Sequence, residues 1–311
     1  MNQDAANGLT WSALAHPLDT LTDKLGAILE TEVRADPFQR DPQFVRQVEP
    51  LVRAVNAYFA TEVRGWERVP KQGPFLVVGN HSGGAGTTDF AFFLGKWLED
   101  RGAEAPLYGL AYDLLFAAPG ISVLLRRLGI VPANHGSAGE ALRRKAAVVV
   151  FPGGDYEVYR PWSERNLIEF GGHKGFIQLA IATGVPVVPM TIHGAHQSTI
   201  ALTRGRRIAR FMGINRIHVG IFPLVWNIPF GLMPALVPSL QLPAKVTVQI
   251  GKPLDWSRFG RKRAADPKVL DRCYRQITNI MQQTLDTLAA EHPHPILSRL
   301  DELRPSFTLR R

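Results

Sequence analysis

The sequence predicts an α/β fold: a mostly parallel sheet flanked by helices, behind a helical N-terminal region. Three observations carry this. Residues 75–78 (Phe-Leu-Val-Val) form a short β-branched apolar run that ends at Gly79, and a helical pattern over 89–101 follows a glycine-rich loop. Residues 147–151 (Ala-Val-Val-Val-Phe) repeat the arrangement and end in Pro152-Gly153-Gly154. Residues 185–192 (Val-Pro-Val-Val-Pro-Met-Thr-Ile) form a third apolar run behind a helix at 174–183 that Gly184 stops.

In chain order, residues 16–64 read as helical. Leu18, Leu21, Leu25, Ile28 and Leu29 make one apolar face; Phe44, Val45, Val48, Val52, Val55, Phe59 and Val63 make another. These faces suit either packing on a core or lying on a membrane. Residues 65–73 are a turn-rich lead into the strand at 75–78. After helix 89–101, residues 106–111 predict a strand, Pro119 starts a short helix, 130–132 is extended and 137–145 is helical. Prolines disrupt ladder bonding, so the run at 185–192 is expected at a sheet edge or with an irregular end. Residues 245–250 alternate as a strand does. Asp266-Pro267 is a helix start, a cap residue before Pro in the first turn, and helical spacing continues to about Glu291. The tail from His292 is polar and reads as peripheral. The organisation is thus a helical region at 1–68, an α/β domain at 69–291 and a tail at 292–311.

Composition bounds the function. The 311 residues are 45% hydrophobic, enough for a substantial core, and only 20% charged, with a net charge of +9. Such a balance suits nucleic acid, anionic cofactors or an anionic membrane. A single cysteine, Cys273, excludes an internal disulfide and a multi-cysteine zinc site, and no metal site is expected. Residues 1–7 carry Asp4 and no basic cluster, so no signal peptide is read there.

His81 lies where chemistry is expected. In open α/β sheets ligands bind beyond the carboxyl ends of strands. Neutral imidazole can take a proton from an alcohol near pH 7, and a carboxylate on its other nitrogen fixes the tautomer. His81 and Asp89 are therefore the candidate base and its orienter. The structural alternative is a strand-capping histidine beside a helix-capping aspartate.

A second stretch is unusual. Arg204, Arg206, Arg207, Arg210 and Arg216 fall within thirteen residues with no acid among them. Residues 219–244 then carry no Asp, Glu, Lys or Arg but five prolines and Trp226. The length raises a membrane span, and the prolines argue against a straight helix. Two readings stand: a buried core hairpin, or, across 204–244, a basic and apolar segment that meets a membrane or an acyl chain.

Over roughly 69–254 the chain resembles the glycerolipid acyltransferases, the lysophosphatidate and glycerol-phosphate acyltransferases. Asn80-His81 through Asp89 resembles their His-and-Asp block, Phe151-Pro152-Gly153-Gly154 their Phe-Pro-Glu-Gly block, and Val185-Pro186-Val187-Val188-Pro189 their Val-Pro-hydrophobic-hydrophobic-Pro block. Each motif is weak alone; order, spacing and placement at strand ends make the combination specific. The resemblance implies an O-acyltransferase. It implies that His81 activates the acceptor hydroxyl, which attacks an acyl thioester with no covalent intermediate. No cofactor is implied, with acyl-CoA or acyl carrier protein as donor and a glycerolipid or lysophospholipid as acceptor. The arginines and the charge-free stretch add the expectation of an anionic membrane surface as partner, with the protein peripheral on its cytoplasmic face. Asn80, Gly83, Gly84, Phe151, Pro152, Gly153, Gly154 and Arg160 are expected at the substrate. Val185, Pro186, Arg206, Arg207, Arg210, Trp226 and Phe230 are expected at the acyl chain or membrane.

Three departures shape this expectation. Seven residues, not four, separate His81 from Asp89; they are small and include glycines, so the loop can fold back. Gly153 stands where the family has Glu. No arginine follows 129–134, where the family's phosphate-binding block falls. A phosphate-bearing acceptor is thereby disfavoured, and a neutral glyceride, including a diacylglycerol-type acceptor, gains; Arg160 is the candidate replacement cation. Other classes fit less well. No Gly-x-Ser-x-Gly elbow occurs, since His135-Gly-Ser137-Ala-Gly139 misses its first glycine. No phosphate-cradling GxxxxGK[ST] occurs. The arginines abut an apolar run rather than interleaved aromatics, which argues against nucleic acid. A non-catalytic lipid-binding protein is the alternative of another class.

Overall fold

The structure is a computed structural model, and it describes residues 36–81, 88–211, 222–227, 231–234 and 241–304. Among these the chain runs α1 (Pro42–Tyr58), β1 (Glu62–Arg64), β2 (Phe75–Gly79), α2 (Thr88–Arg101), β3 (Leu107–Ala111), α3 (Pro119–Leu128), β4 (Ile130–Pro132), α4 (His135–Arg143) and β5 (Ala147–Val150). It continues through α5 (Gly154–Val158), α6 (Gly175–Thr183), β6 (Val187–His193), β7 (Ile200–Thr203), α7 (Arg206–Phe211), β8 (Leu224–Asn227), β9 (Gly231–Pro234), β10 (Thr247–Ile250), α8 (Pro267–Glu291) and α9 (Pro295–Leu303).

Seven strands form the main sheet in the order β1-β10-β6-β2-β5-β3-β4, parallel throughout except where β10 pairs antiparallel with β6. β2 and β5 pair directly, Phe75 opposite Ala147. Both faces of the sheet are covered, so β2 is buried at every residue and reads as a continuous apolar run. Its side chains alternate between two cores. Phe75 and Val77 join Phe92, Phe93 and Trp97 of α2 and Val45 and Val52 of α1. Leu76 and Val78 join Ile177 and Ile181 of α6 and Cys273, Ile277 and Met281 of α8. Helix signals act as the sequence implies: Asp266 accepts the Lys268 N–H at the start of α8, and Gly184 closes α6 in the left-handed region.

Two expectations are corrected. The region expected to be wholly helical up to residue 64 contains β1, which pairs with β10 and belongs to the main sheet; residues 16–35 lie outside the described residues. The run at 185–192 is not at an edge: β6 lies between β10 and β2. Pro189 is accommodated because the β10 ladder starts only at Met190, while the Pro189 carbonyl takes the Gly251 N–H at 2.8 Å and Val187 bonds both ways with Leu254. The tail from His292 carries α9 and stays peripheral, buried only at Pro295, whose carbonyl takes the Lys245 N–H at 2.9 Å.

A second sheet, β7-β8-β9, is antiparallel and small. It includes part of the charge-free stretch, and Trp226 sits opposite Leu232 across β8 and β9. Phe92 ties α1 to α2, its ring edge-on to Phe59 at 5.5 Å with no exposure. Phe92→Ala is expected to cost about 3–5 kcal/mol, measured by denaturant unfolding; a loss below about 1 kcal/mol would show that this joint is loosely packed.

Candidate active site

β2 ends at Gly79, and the chain turns out of the sheet there. A side chain at Gly79 would lie 2.6 Å from the Phe151 ring and 2.7 Å from Met190 Cε, so only glycine lets β2 pass between β5 and β6 at this level. Asn80 follows, fully buried. Its amide donates to the Ile192 carbonyl at 2.9 Å and accepts the Ile192 N–H at 2.7 Å. Asn80 is therefore corrected from substrate ligand to clasp: it locks the end of β2 to β6 and has no surface left for a substrate.

His81 is the first residue free of the sheet, with its side chain 16% exposed. Its Nδ1 is 2.6 Å from Asp89 Oδ2, and Asp89, in the first turn of α2, is buried. The longer spacing thus keeps the contact. A buried carboxylate on Nδ1 holds the proton there and leaves Nε2 as the accepting nitrogen. Phe151 stacks on the imidazole with ring centroids 4.7 Å apart and planes at 25°. The ring is fixed by one bond and one face. Gly83 and Gly84 lie outside the described residues.

The turn after β5 brings a residue that the sequence analysis does not single out. Glu157, in α5, is fully buried, and its Oε2 accepts the backbone N–H of His81 at 2.8 Å. Its Oε1 accepts from Arg160 Nη1 at 2.8 Å and from the Glu169 N–H at 3.3 Å. Burial pushes the Glu157 carboxyl up to about 7, against the pull of Arg160 and the His81 amide. Arg160 is corrected from candidate substrate cation. It is fully buried, and it also donates to the Leu167 carbonyl at 2.6 Å, so it acts on the site through Glu157. Pro152 accepts from His173 Nδ1 at 2.9 Å through its carbonyl, and Gly153 and Gly154 form the start of α5.

These elements can be set beside known proteins. The profile of the family described as acyltransferase matches residues 60–193, a span that contains His81, Asp89 and the Phe151 turn. A protein of Mycobacterium tuberculosis, described as uncharacterized, is 31% identical over 298 residues, which is 92% of this chain and 80% of that one. This chain belongs to the acyltransferase family. Bovine and human proteins named DGAT1/2-independent enzyme synthesizing storage lipids are each 27% identical over 188 residues, 60% of this chain and 54% and 56% of theirs. The crystal structure of the 1-acyl-sn-glycerophosphate acyltransferase PlsC from Thermotoga maritima matches with a TM-score of 0.50 at 20% identity, covering 87% of this chain and 95% of that one. That likeness is one of fold.

The acyltransferase places the remaining expected residues at two opposite ends of its sheet. Val185 and Pro186 precede β6, with the Pro186 carbonyl bonded to the Leu76 N–H. Since β2 and β6 are parallel, they sit roughly 20 Å along the strands from His81. Val185 is core, so its assignment to the acyl chain or membrane is corrected. Arg206, Arg207 and Arg210 are exposed on α7, and Trp226 is 51% exposed. Phe230 and Arg216 lie outside the described residues. Arg204, by contrast, is committed: it pairs with Glu164 at 2.8 Å and donates to the Tyr156 carbonyl at 3.1 Å.

Two more histidines are buried near this rim. His193, at the end of β6, is lowered to about 4 and His196 to about 3, both chiefly by burial, with nearby positive charge adding to it. Groups depressed on folding stabilise the fold above their unfolded value near 6.5, and that stabilisation is lost as pH falls through the folded values. Glu157, raised, works the other way between about 4.5 and 7. With two histidines against one carboxyl, thermal midpoints are expected to fall as pH drops from 6.5 toward 4. His193→Gln and His196→Gln should each flatten that slope, and an unchanged slope in both would place the acid sensitivity elsewhere.

Proposed function

We propose that this acyltransferase moves a fatty acyl group from an acyl thioester, acyl-CoA or acyl carrier protein, to a hydroxyl of a glycerolipid or lysophospholipid at a membrane surface. The observation that carries this is the 2.6 Å bond between His81 Nδ1 and buried Asp89 at the carboxyl end of β2. His81 Nε2 takes the acceptor hydroxyl's proton as the oxygen attacks the thioester carbonyl. The C–S bond breaks, and the thiolate takes a proton back from the imidazolium that Asp89 has steadied. The base works on the acceptor directly, so no acyl group rests on the protein.

The acceptor is less constrained than the base. Gly153 and Arg160 supply no free charge beside His81, which favours an acceptor without a phosphate next to the reacting hydroxyl. The storage-lipid relatives favour a neutral glyceride, diacylglycerol included, as the second reading.

Surface chemistry supports a peripheral position on the cytoplasmic face. No helix among the described residues is long and apolar enough to cross a membrane. β7 follows the carboxyl end of β6, so the small sheet lies toward the His81 end. It exposes Leu202, Trp226 and Leu232, and α7 exposes Phe211 beside Arg206, Arg207 and Arg210. A second apolar group, Tyr112, Leu115, Ile121 and Leu124, follows the carboxyl end of β3 on the same rim. Arginines attract an anionic bilayer by about 1 kcal/mol each, and the apolar side chains enter the headgroup boundary.

Purified protein given long-chain acyl-CoA and a panel of mono-, di- and lysoglycerolipids is expected to release free thiol and form acylated lipid. His81→Ala should lose at least roughly 10²-fold in turnover while remaining folded, and Asp89→Asn less. A folded, fully active His81→Ala protein would leave only a lipid-binding role for this site. Charge reversal at Arg206, Arg207 and Arg210 should weaken binding to anionic vesicles and spare binding to neutral ones. Wild-type protein that ignores both kinds of vesicle would remove the membrane from the proposal.

A further inference from the structure

We infer that Glu157 is the positioning residue of the catalytic base: its carboxylate fills the space that Gly153 leaves empty and holds the backbone of His81, as Asp89 holds the ring. This rests on His81 acting as the base.

The geometry starts from helix direction. Side chains on a helix lean toward its N-terminus, over the turn before them. Glu157 lies four residues after Gly153, so its carboxylate folds back over the start of α5. A side chain at Gly153 would begin 2.5 Å from Glu157 Cβ and 2.5 Å from its Oε2. A side chain at 153 and the carboxylate of Glu157 are therefore mutually exclusive occupants of one place. The resembling family carries its glutamate at the position of Gly153; this chain supplies a carboxylate to the same place from one turn downstream.

That carboxylate is not idle filler. Glu157 Oε2 takes the His81 N–H, and Oε1 takes Arg160 Nη1 and the Glu169 N–H. Arg160 is pinned in turn: its guanidinium reaches the Leu167 and Arg165 carbonyls at 2.6 and 3.4 Å, and its own carbonyl faces His196 Nε2 at 3.0 Å. The anchor thus belongs to a buried frame rather than to a mobile surface side chain. A buried ion pair gives little net stability over apolar residues of similar volume. Its presence here is explained by the bond to His81: the backbone amide has just left the β2 ladder, and Glu157 is the acceptor it meets there.

The test uses the full chain and four variants. Glu157→Gln keeps the volume but cannot satisfy the His81 N–H without turning its NH₂ toward Arg160. E157L/R160M removes both charges together, so that neither is left buried and unpaired, and takes the acceptor away from the His81 N–H. Both are expected to lose at least ten-fold in kcat with the thioester KM changed less than two-fold, since a small displacement of the base suffices for such a loss. E157G should be as poor, and G153E/E157G, which clears the Cβ that a side chain at 153 would meet and returns a carboxylate from the other position, should recover at least ten-fold over E157G. Wild-type kcat in folded E157L/R160M would overturn the inference, as would a folded G153E/E157G no better than E157G. Where the glycine variants do not fold, E157Q and E157L/R160M decide. Hydrogen exchange at the His81 amide separates this from the base assignment. It should be slow in the wild type and at least ten-fold faster in E157L/R160M, whether or not the protein turns over a thioester. Equal exchange in the two proteins overturns the anchor, whereas a wild-type protein without turnover overturns the base.

Discussion

The bond between His81 and Asp89 depends on two strand ends and one helix start being held to a few tenths of an ångström. Asp89 is buried, and burying a carboxylate is costly unless it is bonded, so the bond to His81 offsets part of the cost of docking α2 on the sheet. His81 in turn is placed by the end of β2. Gly79 lets β2 pass between the Phe151 ring and Met190, and Asn80 locks that end to Ile192 of β6 through both its amide atoms. The apolar alternation of β2 serves the same end, because anchoring Phe75 and Val77 in one core and Leu76 and Val78 in the other fixes its register. Folding energetics and the chemistry of the base thus meet in a few residues at the carboxyl end of one central strand.

Parallel pairing gives the sheet a direction, and the surface follows it. β2, β5, β3 and β6 all run the same way, so every chain segment that leaves their carboxyl ends arrives at one rim. That rim holds His81, the turn into α5, the apolar residues after β3 and the route into the small sheet. Tyr156 links the two chemistries: it adjoins Glu157, and its ring lies 4.4 Å from both the Arg204 and Arg206 guanidiniums. A basic and apolar surface beside His81 is what the proposed reaction asks for, with one anionic substrate and one that resides in a bilayer.

Much of this was readable from residue order alone. Strand, glycine loop and helix at 75–101 point to both the sheet and the place where His81 meets Asp89, and α8 ends where its helical spacing ends, at Glu291. The failures have physical causes. β1 is three residues, Glu-Val-Arg, too short for an alternation to declare itself and stabilised only by pairing with β10. β6 was expected at an edge because prolines lack a donor, but the neighbouring strand stops where Pro189 would have needed one. Arg160 and Asn80 read as substrate ligands beside His81; burial, which no local pattern reports, turns both inward. Glu157 looked like one more acid in Asp155-Tyr-Glu-Val-Tyr-Arg160. Its signal was the i, i+3 spacing to Arg160 together with the bare glycine one turn before it, and only the fold shows that these share a space with His81.

In the proposed reaction an oriented imidazole activates the acceptor directly, and the acyl group passes from thioester to lipid hydroxyl in one transfer. The most direct measurement mixes the intact protein with long-chain acyl-CoA in the absence of any acceptor and follows both free thiol and protein mass. No burst of thiol and no acyl adduct are expected until a hydroxyl lipid is added, after which thiol and acylated lipid appear in equal amounts. A stoichiometric burst of thiol with the acyl group retained on the protein would contradict it.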